Sequence, residues 1–210
     1  MALVPLQMIV YLRSPPPDTV SGWFTLFQRS PFVGLVDLDL PMVIDNVLLS
    51  MTFLGLFFAL RRRSPSLMIM AITFELLAIA TYFASNPALE MWSLSRRYAD
   101  ASAPADRAAL LAAGEAVIAS WQGSAFTISY ILGALATLLT SAAMVRSLAF
   151  GRLSGVVGLS FGALSLIPAS AGRIGLIFSL LSLVPMLLWL GLVASKLGRL
   201  AGATTARVAS

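Results

Sequence analysis

Apolar residues fall into five long runs separated by short polar breaks: Pro41–Leu60, Pro65–Ser85, Ser124–Val145, Gly155–Ala171 and Ile174–Ser195. A hydrocarbon core of about 30 Å takes about 20 helical residues, so each run predicts a transmembrane helix. Met1–Leu12 is also apolar, but only about half long enough to cross. It lacks the charged start and small-residue cleavage site of a signal peptide, and reads as the outer part of a first span whose beginning is missing or unusually short. The expected architecture is all-α: one polytopic transmembrane bundle of five to six spans over residues 1–210.

The segments between the runs carry patterns of their own. In 13–40, Pro15-Pro16-Pro17 breaks any helix, and Asp18 is placed to cap a short segment bearing Trp23, Phe24 and Phe27. Aromatic residues of that kind favour the membrane–water interface, which predicts a helix lying on the bilayer. In 86–123, Asn86-Pro87 ends a span and Pro87–Ala101 reads as a helix. Ser102 and Pro104, with Asp106 in the first turn, start another. These two outer helices are expected to pack as a cap.

Composition fits the pattern. Hydrophobic residues make up 59% of the 210 positions and charged residues 11%, well under the quarter or so of a soluble domain; mean hydropathy is +0.90. The net charge of +5 does not imply nucleic acid, because no basic stripe with interleaved aromatics exists. Arg61, Arg62, Arg63, Arg146, Arg152, Lys196, Arg199 and Arg207 instead collect on one side of the alternating spans, without an acid beside them. All nine acids, Asp18 to Glu115, lie on the other side or within a span. Lys and Arg gather in short cytoplasmic loops, so the expected location is a bacterial inner membrane, multi-pass, with a cytoplasmic C-terminus.

Cysteine and histidine are both absent. That removes disulfides, thiolate nucleophiles and iron–sulfur ligands, together with imidazole bases and His-based zinc sites. Proton chemistry here has only carboxylates, Tyr, Lys and Arg to work with. No metal site and no cofactor is expected.

Few residues remain as candidates for binding. Glu75 stands in the middle of its run, where a charge costs about 2.5–3.5 kcal/mol on insertion scales. It should face the bundle, carry a proton or find a partner. Asp45 and Asn46 lie one turn into the second span, with Arg173 as an outer cation that Asp45 is able to meet. Glu115 and Gln122 are seven residues apart and share a helix face, with Tyr130 two further turns along, which suggests a polar entrance. Asp37-Leu38-Asp39 alternates as an interfacial loop does and fits a magnesium clamp poorly.

Small residues form two stripes. Gly151, Gly155, Gly158, Gly162, Ser165 and Ala169 follow a 4-3-4-3-4 spacing that puts them on one face; Ala125, Ser129, Gly133, Ala136, Thr140 and Ala143, spaced 4-4-3-4-3, share one face of the preceding span. Small faces let membrane helices approach closely, so these two are expected to meet within one chain. Pro168 and Pro185 are expected to bend their spans.

The strings YFASNPALEMWSLSRRYADA at 82–101, RAALLAAGEA at 107–116 and WQGSAFTISYILGA at 121–134 resemble a family of small bacterial integral membrane proteins classed as a domain of unknown function. The triple-proline string at 15–19, the acidic string at 36–39 and the basic string at 61–66 are similar to it too. The resemblance implies a six-span membrane protein and assigns no role to any residue. Glu75 falls where that family would carry an apolar residue.

Three functional classes follow. A non-enzymatic membrane module would bind a lipid, a small amphiphile or a membrane-protein partner. A proton- or ion-coupled transporter would use Asp45, Glu75 and Glu115, although inverted repeats are not evident. A lipid-acting intramembrane enzyme would need an acid pair with a metal, and no such cluster is present in the sequence.

Overall fold

The computed structural model describes residues 10, 13–121, 123–147 and 149–208. Among these the chain is all-α, with nine helices: α1 Val20–Arg29, α2 Pro31–Asp37, α3 Leu40–Leu60, α4 Pro65–Ser85, α5 Ala88–Asp100, α6 Pro104–Trp121, α7 Ser124–Val145, α8 Gly151–Leu164 and α9 Gly172–Val208. Four helical stretches are long and apolar enough to cross a membrane: Leu40–Leu60, Pro65–Asp100, Pro104–Val145 and Gly172–Leu200. The expected first span at 1–12 lies outside the described residues, Val10 excepted.

The chain forms two compact units, Met1–Leu48 with Thr81–Phe126 and Leu49–Ala80 with Thr127–Ser210. In the first unit, α1 begins where the Thr19 hydroxyl accepts the Gly22 amide at 3.2 Å. That bond satisfies one of the donors a helix start leaves over. Ser30 then ends α1, its N–H returning to the Leu26 carbonyl, and Pro31 opens α2, a first-turn position where the donor that proline lacks has no helical partner to lose.

Trp23, Phe24 and Phe27 of α1 are buried with Leu38, Ala88 and Met91. The expectation of a helix lying on the bilayer is therefore corrected for 20–29. Its aromatics belong to a protein core, because α5 and α6 supply an apolar surface that matches them. Two glycines make this packing possible. A Cβ on Gly34 would stand 2.8 Å from the Phe27 ring, and one on Gly114 would stand 2.5 Å from Val20 Cγ1 and 3.0 Å from Phe24. Helices α5 and α6 form as the sequence predicts, Asn86-Pro87 separating α4 from α5.

The second unit has a core of Phe53, Leu56, Leu60, Met68, Ala71, Ala136, Ala143, Met144, Phe150, Trp189 and Val193. Trp189, fully buried, sits 6.0 Å from Phe53 and 6.1 Å from Phe161 between ring centroids. The short helix α8 presents its glycines to α7 and α9. A Cβ on Gly162 would stand 2.7 Å from Leu138 Cγ, one on Gly155 2.8 Å from the Val145 amide nitrogen, and one on Gly158 2.5 Å from Trp189 Nε1.

The small face of α8 thus does meet α7, as expected, but along Ala134, Leu138, Ser141 and Val145 rather than along the other small stripe. Gly133, on that other stripe, looks toward Ala78 of α4 instead. One residue step turns a helix by about 100°, so α7 serves α8 with one face and α4 with the next.

Two boundaries differ from the run at 155–171. Helix α8 starts earlier, at Gly151, whose φ of +77° closes the turn out of α7. It ends at Leu164, four residues before Pro168, and proline disfavours helix just before it. At 14 residues, α8 is too short to cross a bilayer core of about 30 Å at 1.5 Å per residue. Helix α9, by contrast, continues through Pro185 for 37 residues.

Candidate functional site

The residues singled out from sequence are dispersed. Asn46 sits half-buried on α3, and its side-chain amide donates to the Met42 carbonyl at 2.8 Å. That is a local bond to the preceding turn and leaves the acceptor oxygen as its recognition group. Asp45 beside it is half-buried in the first unit. Arg173 is exposed at the start of α9, in the second unit. Glu115 is exposed on α6, next to buried Gly114. Gln122 lies outside the described residues. The Tyr130 hydroxyl is engaged within the second unit, 3.2 Å from Ser179 Oγ. Of the polar entrance expected from Glu115, Gln122 and Tyr130, the Glu115 carboxylate is exposed in the first unit and the half-buried Tyr130 phenol is hydrogen-bonded in the second.

Among the packing candidates, Gly133, Gly155, Gly158 and Gly162 stand at close helix contacts, as described. Gly151 does not: a Cβ there would meet nothing within 4 Å, and its role is the positive φ of the turn.

Glu75 behaves as its position demands. It is 2% exposed, near the middle of the 21-residue α4, and it is the sole acid in the second unit. The same unit buries a set of hydroxyls: Ser129, Thr137, Thr140, Ser141 and Ser182 are each 6% exposed or less. Thr127 and Ser170 share a hydrogen bond of 3.0 Å. Thr140 Oγ1, Ser141 Oγ and Trp189 Nε1 are fully buried and have no hydrogen-bond partner among the described residues. Buried polar groups are nearly always bonded, to protein or to ordered water. These three atoms and the buried Glu75 carboxyl, all in the second unit, make its interior chemically distinctive.

The first unit has its own polar centre at the turn between α2 and α3. Asp39 adopts φ 61°, a conformation that Asp and Asn tolerate better than most residues. Asn86 Nδ2 donates to the Leu38 carbonyl at 2.9 Å while its Oδ1 accepts the Ala88 amide at 3.2 Å. The Tyr82 hydroxyl reaches the Asp39 carbonyl at 3.4 Å. Asp37, fully buried next to this turn, has its carboxyl pushed up to about 6, first by burial and then by the charge of Asp39.

Sequence reasoning took Asp37 for part of an interfacial loop. Its alternation with Asp39 gave no sign of burial, which depends on the partners that α5 brings. Trp189, Thr140 and Ser141 were equally unremarked as a polar set. The available signal was the density of hydroxyls on α7, which was read only as small-residue packing.

Among the described residues no group of three or more His, Cys, Asp or Glu side chains is placed to hold a metal ion. Compared with protein-family models, with characterised proteins and with solved structures, the chain matches none.

Proposed function

We propose that this chain is a non-enzymatic membrane module whose apolar helix faces hold lipid, a small amphiphile or a membrane-protein partner. The observation that supports the reading is where the large apolar side chains go. Met51 and Phe58 on α3, and Val184 and Leu188 on α9, are 58–66% exposed. In water such faces are costly at about 25 cal/mol per Å²; in acyl chains they are matched.

Of the polar side chains named from sequence, Asn46 and Tyr130 are meanwhile occupied in hydrogen bonds within their own units. The basic clusters at Arg61–Arg63, Arg146–Arg152 and Lys196–Arg199 would face the cytoplasm of a bacterial inner membrane. Native mass spectrometry of gently extracted protein tests the binding. Retained phospholipid or a stoichiometric membrane partner supports it, and a bare monomer that stays folded after delipidation ends it. Reporter fusions after Arg63 and after Arg199 test the orientation; both should read as cytoplasmic.

A second reading, a small proton- or ion-coupled carrier, is favoured by buried Glu75. Intramembrane carboxylates commonly mark ion paths. Glu75→Gln should then abolish the proton flux of proteoliposomes, and flux equal to that of the parent protein discards the carrier.

A further inference from the structure

We infer that Glu75 and Thr140 form an internal proton-exchanging site, bridged by bound water, between α4 and α7. The inference goes beyond lipid binding and stands or falls independently of it.

Helix geometry carries the placement. Gly133 of α7 faces Ala78 of α4, a Cβ on the glycine standing 3.9 Å from the alanine methyl. Deeper in the same core lie Met68 and Ala71 from α4 with Ala143 and Met144 from α7. As α4 is followed back from Ala78 toward its start, α7 is followed forward from Gly133 toward its end, so the two helices run antiparallel. Ala71, Glu75 and Ala78 are spaced by four and three residues and share one face of α4. Gly133, Ala136 and Thr140 are spaced by three and four and share one face of α7. These are the faces that meet.

Glu75 thus lies opposite Ala136 and is flanked by Ala71 and Ala78. Small residues around it leave room for a carboxyl group. Helical side chains lean toward the start of their own helix, which carries the Glu75 carboxyl toward Ala71, the level at which α7 presents Thr140. Thr140 Oγ1 is fully buried with no hydrogen-bond partner among the described residues. It is one hydroxyl able both to donate and to accept.

The polar strip continues beyond that pair. Ser141, the next residue on α7, turns its Oγ to Gly158, where Trp189 Nε1 also arrives. Trp189 N–H only donates, so this strip offers hydrogen bonds to water rather than a ligand shell for a metal cation. Charge does not compete with Glu75 nearby. Helices α7, α8 and α9 carry no acid, and α3 carries only Asp45, in the other unit. The cations Arg61, Arg62, Arg63, Arg146, Arg152 and Arg173 stand at helix ends and in connections, and Lys196 and Arg199 lie in the last third of α9; all are exposed except half-buried Lys196.

The step is simple. The carboxylic O–H of Glu75 breaks and its proton passes to the bridging water as that water, held by the Thr140 hydroxyl, returns one of its own protons to the other carboxyl oxygen; acid and water are both restored with their hydrogens exchanged.

Infrared spectroscopy of the full chain in lipid nanodiscs reads this directly. Subtracting the Glu75→Gln spectrum isolates the Glu75 carbonyl stretch, which should move to lower frequency within minutes of transfer to D2O. Thr140→Val, nearly the same shape, should shift that band to higher frequency by releasing the water that bonds the carboxyl, while leaving thermal unfolding nearly unchanged. A Glu75 band that stays put in D2O, or one that Thr140→Val leaves in place, overturns the inference. So does a band that responds to sodium or potassium at fixed pH, which would make the site one for a metal cation.

Discussion

The two units of this chain solve the same packing problem with opposite materials. The first interlocks large aromatic side chains, Trp23 against Trp121 at 6.3 Å and Phe24 against Tyr98 at 5.2 Å between ring centroids. It then pins its turns with side-chain amides and hydroxyls, such as Ser95 Oγ donating to the Phe24 carbonyl at 2.9 Å. The second removes side chains at its contacts, so that Gly155, Gly158 and Gly162 bring backbones together, and sets Trp189 between Phe53 and Phe161 in the middle. Each mode of packing has its own physical basis. A unit in water gains by burying apolar area. Helices in lipid gain almost nothing that way and depend on close contact and hydrogen bonds. The distribution of acids agrees: every Asp and Glu except Glu75 belongs to the first unit.

The sharpest way to break that contrast is Phe24→Ala. Emptying a fully buried aromatic site costs about 3–5 kcal/mol. Amide hydrogen exchange should show α1, α5 and α6 losing protection while α8 and α9 keep theirs; equal loss in both would mean that the units do not fold separately.

Next comes pH. A carboxyl raised to about 6 by folding, from an ordinary 3.8, binds its proton more tightly in the folded state. Its stabilising contribution is therefore complete below about 3.8 and lost as pH rises through about 6, at most about 3 kcal/mol. Thermal unfolding of the first unit should fall between pH 5 and pH 7.5, and Asp37→Asn should flatten that fall and raise the midpoint at neutral pH.

Gly158→Val follows, at about 1–3 kcal/mol for overpacking. Its Cβ would strike Ser141 Oγ and Trp189. Trp189 emission should change and detergent-solubilised protein should unfold at lower temperature, whereas the same substitution at Gly191, where a Cβ meets nothing within 4 Å, should cost far less. Smallest is Leu181→Ala on the exposed face of α9, expected within about 0.5 kcal/mol. A larger loss would reveal a protein neighbour on that face.

How far the sequence alone goes divides along the same line. The spans at 41–60, 65–85 and 124–145 match α3, α4 and α7 to within a residue, because lipid demands long apolar runs and punctuates them with Arg or Asn-Pro. Burial of Glu75 was equally legible, since a mid-span acid has nowhere else to go. The aromatic core of the first unit was not. Trp23 and Phe27 look alike whether they meet a bilayer or Met91, and only the return of α5 decides between them. Nor was the face that α7 offers to α8, because small residues run along two of its sides. The end of α8 escaped too, since hydrophobicity continues past Leu164 while the backbone turns.

Gly151 and Gly172 enter α8 and α9 at φ +77° and +66°, and at both positions an added methyl would touch nothing. What these joints require is handedness, not space. An L-alanine would carry a penalty of about 1–2 kcal/mol there, whereas its mirror image, introduced by chemical ligation, would sit in its natural well and stiffen the unfolded chain. Swapping chirality at two atoms, with composition held constant, would thus weigh how much of α8's placement is stored in its hinges.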